Sequence, residues 1–480
     1  MKSFHIENFG CRAARADGEA VGDRLRNAGM DEGESAKADV VVVNTCSVTA
    51  EADRAARAFI RRAHRVNPDA RILVTGCYAQ RAPEELAGLD GVAAVVGNSH
   101  KAMAPSIALE LAVGSDTNRQ SEPTGVVPLH SLLTSVSESG ARIWADDRFA
   151  HSFLEEAQLL PGEQTRPNLK IQEGCSNRCT FCVIPQTRGS SRSLAPEAIV
   201  RQVNGFVAAG GQELVFSGIN LGRWGRDLVS ESSKNSLAGL VRQILTESDL
   251  ARLRLSSIEP MDWDSELIGL LRGFGGTRLA RHAHLPLQSG SDTVLRRMHR
   301  RYRPWHYEQK VGALIDAAGP YLTLGADVMA GFPGETDREF EETVEFIRAL
   351  PFGYLHLFPF SPRPGTRGWA LHAESPVPAA VVDERMAVLR KLIAEKSETH
   401  RRWFVGRKVE AITLRTPPAL QGKGRTCALT DNFLPAEIDA LLPANRLVQL
   451  RVASLDADLT LRTTVESAEY CASPVSAMSL

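Results

Sequence analysis

Short apolar runs separated by amphipathic stretches fill the first part of the chain. The runs Ser3–Phe9, Asp39–Asn44 and Arg71–Thr75 predict strands, and helices are predicted near Glu19–Gly29 and from about Glu51 to Val66. The second run contains consecutive valines, which is typical of a strand buried on both faces. Alternating strands and helices predict a parallel sheet with helices on its faces.

A second, longer α/β region runs from Leu169 to about Arg402. Its predicted strands are Glu213–Ser217, Leu253–Ser257, His282–Leu287, Leu322–Asp327 and Tyr354–Phe358, each followed by a helical stretch. Repeated β/α units with polar residues at the strand ends predict a barrel or partial barrel whose site lies at the carboxyl ends of the strands.

The chain changes character after a predicted helix at Val381–His400. The runs Lys408–Leu414, Gly424–Leu429 and Arg446–Val452 are short strands joined by polar turns, which predicts a small all-β domain. We therefore expect an N-terminal α/β domain over 1–140, a linker over 141–166, a barrel over 167–402, a β domain over 403–468 and a tail over 469–480.

Bulk composition narrows the function only slightly. The 480 residues are 43% hydrophobic and 24% charged, with a net charge of −1, so any nucleic acid must be bound by local basic patches. The chain shows no signal-peptide pattern and no apolar run of membrane-spanning length, which predicts a cytoplasmic protein. In a reducing compartment, the 8 cysteines indicate metal ligands rather than disulfides. Cys427 and Cys471 lie outside any motif and are taken as ordinary residues.

Cys175, Cys179 and Cys182 form a Cys-x3-Cys-x2-Cys loop. Three soft thiolates without a nearby fourth ligand predict an iron–sulfur cluster with one open iron. Half a zinc site, or three unrelated buried thiols, is the alternative. Zinc prefers four ligands, commonly in two pairs, which disfavours the first of these.

Cys11, Cys46 and Cys77 each follow one of the first three predicted strands. The carboxyl ends of parallel strands share one sheet edge, so these cysteines can converge there. Taken singly, each is an ordinary small core residue. Together they predict a second three-cysteine cluster.

These features resemble the radical S-adenosylmethionine (SAM) superfamily, in which an aromatic residue, here Phe181, precedes the last cysteine of the loop. Within it the chain is similar to the methylthiotransferases. The resemblance is carried by Asn44–Thr49, Val74–Gln80, Leu169–Cys175, Leu285–Ser291 and Val328–Glu335. It implies an N-terminal parallel α/β domain with an auxiliary cluster, a central radical SAM partial TIM-like barrel and a C-terminal TRAM domain.

Further segments resemble the branch that modifies N6-threonylcarbamoyladenosine in tRNA. They are Gly10–Arg12, Ser217–Gly222, Ser256–Pro260, Met298–Tyr302 and Leu429–Pro435. One departure is Ala14, where the family usually has asparagine. Loss of that amide puts in doubt the orientation of groups around Cys11, though not the ligand itself.

The resemblance implies two [4Fe-4S] clusters and SAM as cofactors, with a methylthio group added to carbon 2 of the adenosine at tRNA position 37. The clusters and SAM then carry the chemistry, so no side chain is assigned as catalytic. Implied partners are the tRNA anticodon loop, an electron donor such as flavodoxin or ferredoxin, and a sulfur source. The alternatives are sister enzymes acting on isopentenyladenosine tRNA or ribosomal protein S12, and, more remotely, an iron–sulfur redox protein.

Polar residues and glycines at the strand ends are the candidates for binding SAM. They are Phe181, Gly211, Glu213, Ser257, Glu259, Gln288, Ser289, Asp327 and Gly331. Glycines also permit close backbone approach to a ligand. The ordinary alternatives are glycines at a helix end and Glu259 as a turn residue before Pro260.

Three groups of basic residues are the candidates for binding RNA. They are Arg54, Arg57 and Arg61 on one helix face; Arg296, Arg300, Arg301 and Arg303 beside aromatic residues; and Arg407, Lys408, Lys423 and Arg425 in the β domain. A solvated basic face is the alternative for the first group, and a surface helix end for the second.

Overall fold

The computed structural model describes residues 2–113, 135–136, 140–149, 154, 166–228 and 235–467. The predicted tail 469–480 with Cys471, and most of the predicted linker 141–166, lie outside the described residues. None of the described helices is long and apolar enough to cross a membrane. The chain forms two compact units, one of residues 1–158, 172–192 and 363–366, the other of residues 159–171, 193–362 and 367–480. The predicted domain boundaries stay predictions.

The first unit contains a seven-stranded sheet in the order β2-β1-β3-β4-β5-β7-β6. Its strands are β1 (Ser3–Asn8), β2 (Asp31–Glu32), β3 (Val40–Thr45), β4 (Arg71–Gly76), β5 (Val92–Gly97), β6 (Ser135–Val136) and β7 (Arg142–Trp144). Its helices are α1 (Arg12–Asn27), α2 (Ala50–Val66), α3 (Cys77–Arg81), α4 (Pro83–Ala87) and α5 (Ala104–Val113). The pairs from β2 to β7 are parallel, so the predicted parallel sheet is confirmed.

The sequence of α2 shows why this unit folds as it does. The Thr49 hydroxyl caps the helix by accepting the Ala52 N–H at 3.2 Å. Ala56, Phe59, Ile60 and Ala63 recur at three- and four-residue spacing and are buried against the sheet in one core cluster. The valines of β3 are buried on both faces, as their apolar run predicts.

Next along the chain come strands β8 (Asn168–Glu173) and β9 (Arg192–Ser193), with helix α6 (Ile184–Arg188) of the first unit between them. The β/α repeats of the second unit follow. Their strands are β10 (Glu213–Gly218), β11 (Arg252–Leu255), β12 (His282–His284), β13 (Thr323–Ala330) and β14 (Phe352–Pro359). Their helices are α7 (Pro196–Ala208), α8 (Leu237–Glu247), α9 (Ser265–Phe274), α10 (Asp292–Arg297), α11 (Pro304–Ala318), α12 (Asp337–Ala349), α13 (Arg367–Glu374) and α14 (Ala379–Arg402).

These strands form a sheet in the order β11-β10-β8-β9 and a sheet in the order β12-β13-β14. The backbone N–H of Ile258 donates to the carbonyl of His284 at 3.1 Å, which joins the segment after β11 to the end of β12. The predicted partial barrel is therefore confirmed.

The second unit ends in a small closed barrel in the order β15-β16-β17-β19-β18. Its elements are β15 (Lys408–Thr413), α15 (Pro418–Gln421), β16 (Thr426–Thr430), β17 (Pro435–Ile438), β18 (Leu447–Leu455) and β19 (Leu461–Ser467). Its core contains Val409, Ala428, Ile438, Leu450 and Leu461. The predicted small all-β domain is confirmed, and Cys427 lies within β16 as a free, partly buried thiol.

Candidate functional site

The first set of cysteines lies at the carboxyl ends of neighbouring strands. Cys11 directly precedes α1, after β1; Cys46 follows β3; and Cys77 opens α3, after β4. Because β1, β3 and β4 are adjacent and parallel, their ends meet at one sheet edge. Cys46 and Cys77 are buried, whereas Cys11 is exposed. The structure thus brings the three cysteines to one edge, as the sequence predicts.

Glycine makes this close approach possible. Gly10 has φ +105°, and a Cβ there would lie 2.7 Å from the Cys46 Sγ. Gly76 has φ +98°, and a Cβ there would overlap the Thr45 backbone. Both positions require a conformation that other residues adopt at a cost, and a side chain would push the strand ends apart.

The electrostatics of these thiols suit ligands of a cationic centre. Burial, followed by the neighbouring Cys77, raises the pKa of Cys46 to about 12, although the N–H of Val48 donates to its Sγ at 3.5 Å. Packing three thiolates together without a cation is unfavourable, and a bound metal reverses this preference.

A fully buried arginine lies against this set. Arg188 Nε donates to the Cys77 Sγ at 3.1 Å, and Asn98 Nδ2 donates to the same sulfur at 3.4 Å. N–H groups aimed at a ligand sulfur are a common outer layer around metal centres. Sequence reasoning missed both residues. The signal in the sequence was the position of Arg188, six residues after Cys182 and so close to the cysteine loop.

Arg188 also joins a buried group of charges. Its Nη1 donates to Glu173 Oε1 at 2.8 Å and to Asp17 Oδ2 at 3.0 Å, and Lys101 contacts both carboxylates. Burial opposes its charge, but Cys77, Glu173 and Asp17 raise the pKa of Arg188 well above its usual range. The guanidinium is therefore a permanent positive charge beside Cys77.

The second set of cysteines occupies the loop between β8 and α6, in the same unit. Cys175, Cys179 and Cys182 are partly exposed, with Phe181 also partly exposed beside the last of them. The N–H of Asn177 donates to the Cys175 Sγ at 3.4 Å, and the N–H of Cys182 donates to the Cys179 carbonyl at 3.1 Å. Two sets of three soft thiol donors fit iron–sulfur clusters.

The predicted SAM residues after the barrel strands lie at the carboxyl ends in the second unit. Gln288 adopts φ 64°, its N–H donates to the Asp327 carbonyl at 2.8 Å, and its buried Oε1 has no hydrogen-bond partner in the described residues. The Ser289 hydroxyl pairs with Thr343 at 3.0 Å. The Gly331 N–H donates to Glu335 at 2.8 Å.

Glu213 and Gly211 lie elsewhere, at the amino end of β10. Glu213 is 0% exposed and accepts from Arg254 at 2.9 Å and from Arg252 at 3.2 Å. A Cβ on Gly211 would overlap the Phe206 ring. Ion pairing and packing account for these two residues without a ligand, and their assignment to SAM stays a prediction.

Some arginines of the segment Arg296–Arg303 are buried and others are exposed. Arg300 is buried and paired with Glu259, while Tyr302 is buried and donates to the Pro286 carbonyl at 2.7 Å. Arg296 is exposed and pairs with Asp292 at 2.8 Å, Arg303 pairs with Asp292 at 3.2 Å, and Arg301 is exposed. Arg300 therefore orients Glu259, and Arg301 faces solvent.

The remaining basic candidates lie on surfaces. Arg54 and Arg61 of α2 are exposed, whereas Arg57 is partly buried and pairs with Glu85 at 3.0 Å. In the closed barrel, the Arg407 guanidinium stacks on the Trp403 ring at 3.9 Å. Lys408 pairs with Glu466, and Arg425 pairs with Asp439 at 3.2 Å. Lys423 is exposed.

Comparisons with known proteins agree with this arrangement. Residues 3–97 match a family described as uncharacterized protein family UPF0004, and residues 169–347 match the radical SAM superfamily. The threonylcarbamoyladenosine tRNA methylthiotransferase MtaB of Bacillus subtilis (strain 168) is 34% identical over 435 residues, which cover 90% of each chain. The chain belongs to the radical SAM methylthiotransferase family.

Other similar proteins are named for more than one activity. The MtaB of Aquifex aeolicus (strain VF5) is 32% identical over 93% of this chain and 99% of its own. The tRNA-2-methylthio-N(6)-dimethylallyladenosine synthase of Erythrobacter litoralis (strain HTCC2594) is 31% identical over 86% of this chain and 87% of its own. The radical SAM methyltransferase TsrM of Kitasatospora setae has a TM-score of 0.56 at 16% identity, over 78% of each chain, which shows a shared fold.

This radical SAM methylthiotransferase is thus an enzyme whose family uses [4Fe-4S] clusters and SAM. Each of the two cysteine sets contains three thiols, which are the type of donor that such clusters bind. Ala14 stands where the family usually has asparagine, and the side-chain amide of Asn44 lies beside it. Asn44 donates to the Ala14 carbonyl and, at 3.0 Å, to Asn8 Oδ1.

Proposed function

We propose that this enzyme adds a methylthio group to carbon 2 of N6-threonylcarbamoyladenosine at position 37 of tRNA. The observation that carries the proposal is the pair of three-cysteine sets in the first unit, in a chain whose full-length relatives include several named for this reaction. Relatives named for dimethylallyladenosine favour the alternative substrate, N6-dimethylallyladenosine in tRNA.

We assign the SAM-binding cluster to Cys175, Cys179 and Cys182, and the auxiliary cluster to Cys11, Cys46 and Cys77. When bound, the clusters and SAM supply the radical and sulfur-transfer chemistry. The chain holds the thiolates, and Arg188 and Asn98 orient Cys77. Partly exposed loop cysteines leave one side of their site open to a ligand.

For SAM we propose contacts from the strand-end residues and from Phe181. Buried, unpartnered Gln288 Oε1 is the best supported, because a buried acceptor without a hydrogen bond is costly unless a ligand donates to it. Ser257, Ser289 and Gly331 follow the carboxyl ends of β11, β12 and β13, where ligands of β/α barrels bind, and Asp327 lies within β13.

For tRNA we propose phosphate contacts from exposed arginines and lysines of α2 and the closed barrel. The threonylcarbamoyl group carries a carboxylate, which an arginine recognises through paired hydrogen bonds. Within the run Arg296–Arg303 we propose Arg301 for that contact, because its guanidinium is exposed and lies 3.8 Å from Asp262 without a closer ion pair in the described residues. We also propose that the enzyme is cytoplasmic. It would take electrons from a donor such as flavodoxin or ferredoxin, and sulfur from a separate source.

The test is methylthio incorporation into tRNA with and without the threonylcarbamoyl group, followed by mass analysis of the nucleosides. We expect product only from the modified tRNA. Arg301→Gln should raise the KM for that tRNA, whereas Arg338→Gln, on another exposed surface, should leave it unchanged. Equal rates on unmodified adenosine, or product from dimethylallyladenosine tRNA alone, would overturn this substrate and leave the family assignment intact.

A further inference from the structure

Three potential ligands lie on neighbouring strands of the second unit. His284 ends β12, Asp327 lies in β13 and His356 lies in β14. The register pairs Asp327 with His356, and pairs His284 with Gly325, two residues before Asp327. Because side chains alternate along a strand, His284, Asp327 and His356 share one face of this sheet.

The spacing of their polar atoms suits a metal ion. One ligand atom from each residue lies within 4.8 Å of the others. Asp327 Oδ1 is 3.2 Å from His356 Nδ1 and 3.4 Å from His284 Nε2. In a tetrahedral zinc site with bonds of about 2.0 to 2.1 Å, neighbouring ligand atoms lie about 3.4 Å apart. The two distances from Asp327 Oδ1 match this spacing.

His284 is already oriented as a ligand. Its Nδ1 pairs with the Ser257 hydroxyl at 2.6 Å, which directs Nε2 toward Asp327. The residue is 5% exposed, and its Nε2 lies 3.4 Å from Asp327 Oδ1. Metal-bound histidines characteristically bond through the second ring nitrogen to an outer group that fixes the ring.

The surrounding rings hold the ligands in place. Tyr354 stacks on His284 at 5.9 Å and lies 5.2 Å from His356. Gly325 leaves room for it, because a Cβ there would overlap the Tyr354 ring. Asp327 presents one carboxylate oxygen to both histidines.

We propose that His284, Asp327 and His356 form a site for one divalent transition-metal ion, Zn²⁺ or Fe²⁺. Two imidazole nitrogens and one carboxylate are donors suited to these ions, whereas Mg²⁺ and Ca²⁺ prefer oxygen alone. At least one position stays open for water or another oxygen donor. The His356 side chain is 62% exposed, which gives the ion access from solvent. The site does not depend on which nucleoside is the substrate.

The test uses Zn²⁺ and the full-length enzyme with both clusters loaded, so that the cluster cysteines are occupied. Because Ser257 and Asp327 are also predicted to bind SAM, SAM is left out. After removal of loose metal, we expect about one Zn²⁺ per chain by elemental analysis, with X-ray absorption showing nitrogen and oxygen ligands. Asp327→Asn and His356→Gln should each weaken binding more than tenfold, and Ser257→Ala should weaken it about 10- to 100-fold.

Matched controls are His306→Gln and Asp316→Asn, both on α11 of the same unit. They should bind Zn²⁺ as the unchanged enzyme does. Circular dichroism and retained iron content establish that each variant is folded. Absence of stoichiometric zinc, or zinc binding that survives both Asp327→Asn and His356→Gln in folded protein, would overturn the proposal. The cluster would then be only a hydrogen-bonded chain from Ser257 to His356.

Discussion

Arg188 brings a fixed positive charge to a buried thiol, the buried carboxylate of Glu173 and the partly buried carboxylate of Asp17. A charge of this kind is costly to bury and is stable only when its partners surround it. Glu173 and Asp17 balance it, and Lys101 balances them in turn. The same guanidinium donates to Cys77, so the charge balance of this core and the orientation of a proposed ligand depend on one residue.

Replacing Arg188 with glutamine should therefore destabilise the first unit strongly. The change leaves Glu173 and Asp17 with one cation instead of two, and breaking a buried pair in this way costs about 3 to 5 kcal/mol. Denaturant unfolding of the cluster-free protein measures the loss. Arg148→Gln, exposed in the same unit, should change stability by less than about 0.5 kcal/mol. Equal stabilities of the two variants would contradict the role of the buried charges.

The two cysteine sets should serve two separate steps of the reaction, SAM cleavage and sulfur insertion. Cys179→Ala removes a proposed ligand of the SAM-binding cluster and should abolish formation of 5′-deoxyadenosine. Cys77→Ala should spare SAM cleavage and stop sulfur insertion, because that cysteine belongs to the other set. Both products are measured in one reaction, with iron analysis to establish that the remaining cluster is present. Loss of SAM cleavage in Cys77→Ala with the loop cluster intact would contradict the division.

At the scale of elements, the periodicity of apolar residues predicted many of the strands and helices. It did not predict those whose own sequences lack a clear apolar pattern. Helix α1 begins at Arg12 rather than near Glu19, because small alanines give its first turns a weak apolar pattern. Strands β17 and β19 were not predicted. Pairing in a closed barrel stabilises short strands whose own sequences are mixed. The cysteine sets were predictable from strand order, whereas the partners of Arg188 arise from tertiary packing that one sequence does not reveal.

Helix α14 carries a partly buried histidine that should make stability depend on pH. Burial lowers the pKa of His400 from 6.5 to about 4, and its Nε2 pairs with Thr323 at 2.9 Å. Between those pH values the unfolded state binds the proton and the folded state does not, so stability falls as pH drops from about 6.5 to 4. The full shift corresponds to at most about 3 kcal/mol.

His400→Gln keeps a hydrogen-bonding group near Thr323 and removes the titration. Unfolding measured at several pH values should show a smaller loss of stability on acidification than in the unchanged protein. His306→Gln, a matched change on α11, leaves the contact between His400 and Thr323 in place and should retain the full pH dependence. A His400→Gln curve parallel to that of the unchanged protein between pH 6.5 and 4 would refute this account.

For the whole molecule, the net charge says little, because individual charges are balanced by neighbouring opposite charges. The net charge is −1, yet the second unit contains buried ion pairs that join the barrel strands to the closed β-barrel. Arg252 pairs with Glu410, and Arg281 pairs with Asp431 at 2.6 Å. The predicted boundary at residues 402 and 403 is therefore crossed by buried charges within one compact unit. Cutting the chain there would leave arginines without partners, so surface substitutions test RNA binding more cleanly than truncation does.

Arg407, Lys408 and Lys423 are exposed cations of the closed β-barrel and are proposed contacts for tRNA. A nearly neutral protein must bind tRNA through local cations, and each neutralised phosphate makes affinity fall by about 0.7 to 0.9 powers of salt concentration. Replacing Arg407, Lys408 and Lys423 together with glutamine should weaken tRNA binding and reduce the slope of log affinity against log salt by about 2 to 3. The triple variant Arg272→Gln, Arg338→Gln and Lys391→Gln removes the same charge from other surfaces of the second unit and controls for net charge. If both triple variants flatten the salt dependence equally, general electrostatic attraction explains binding and the closed β-barrel is not the RNA contact.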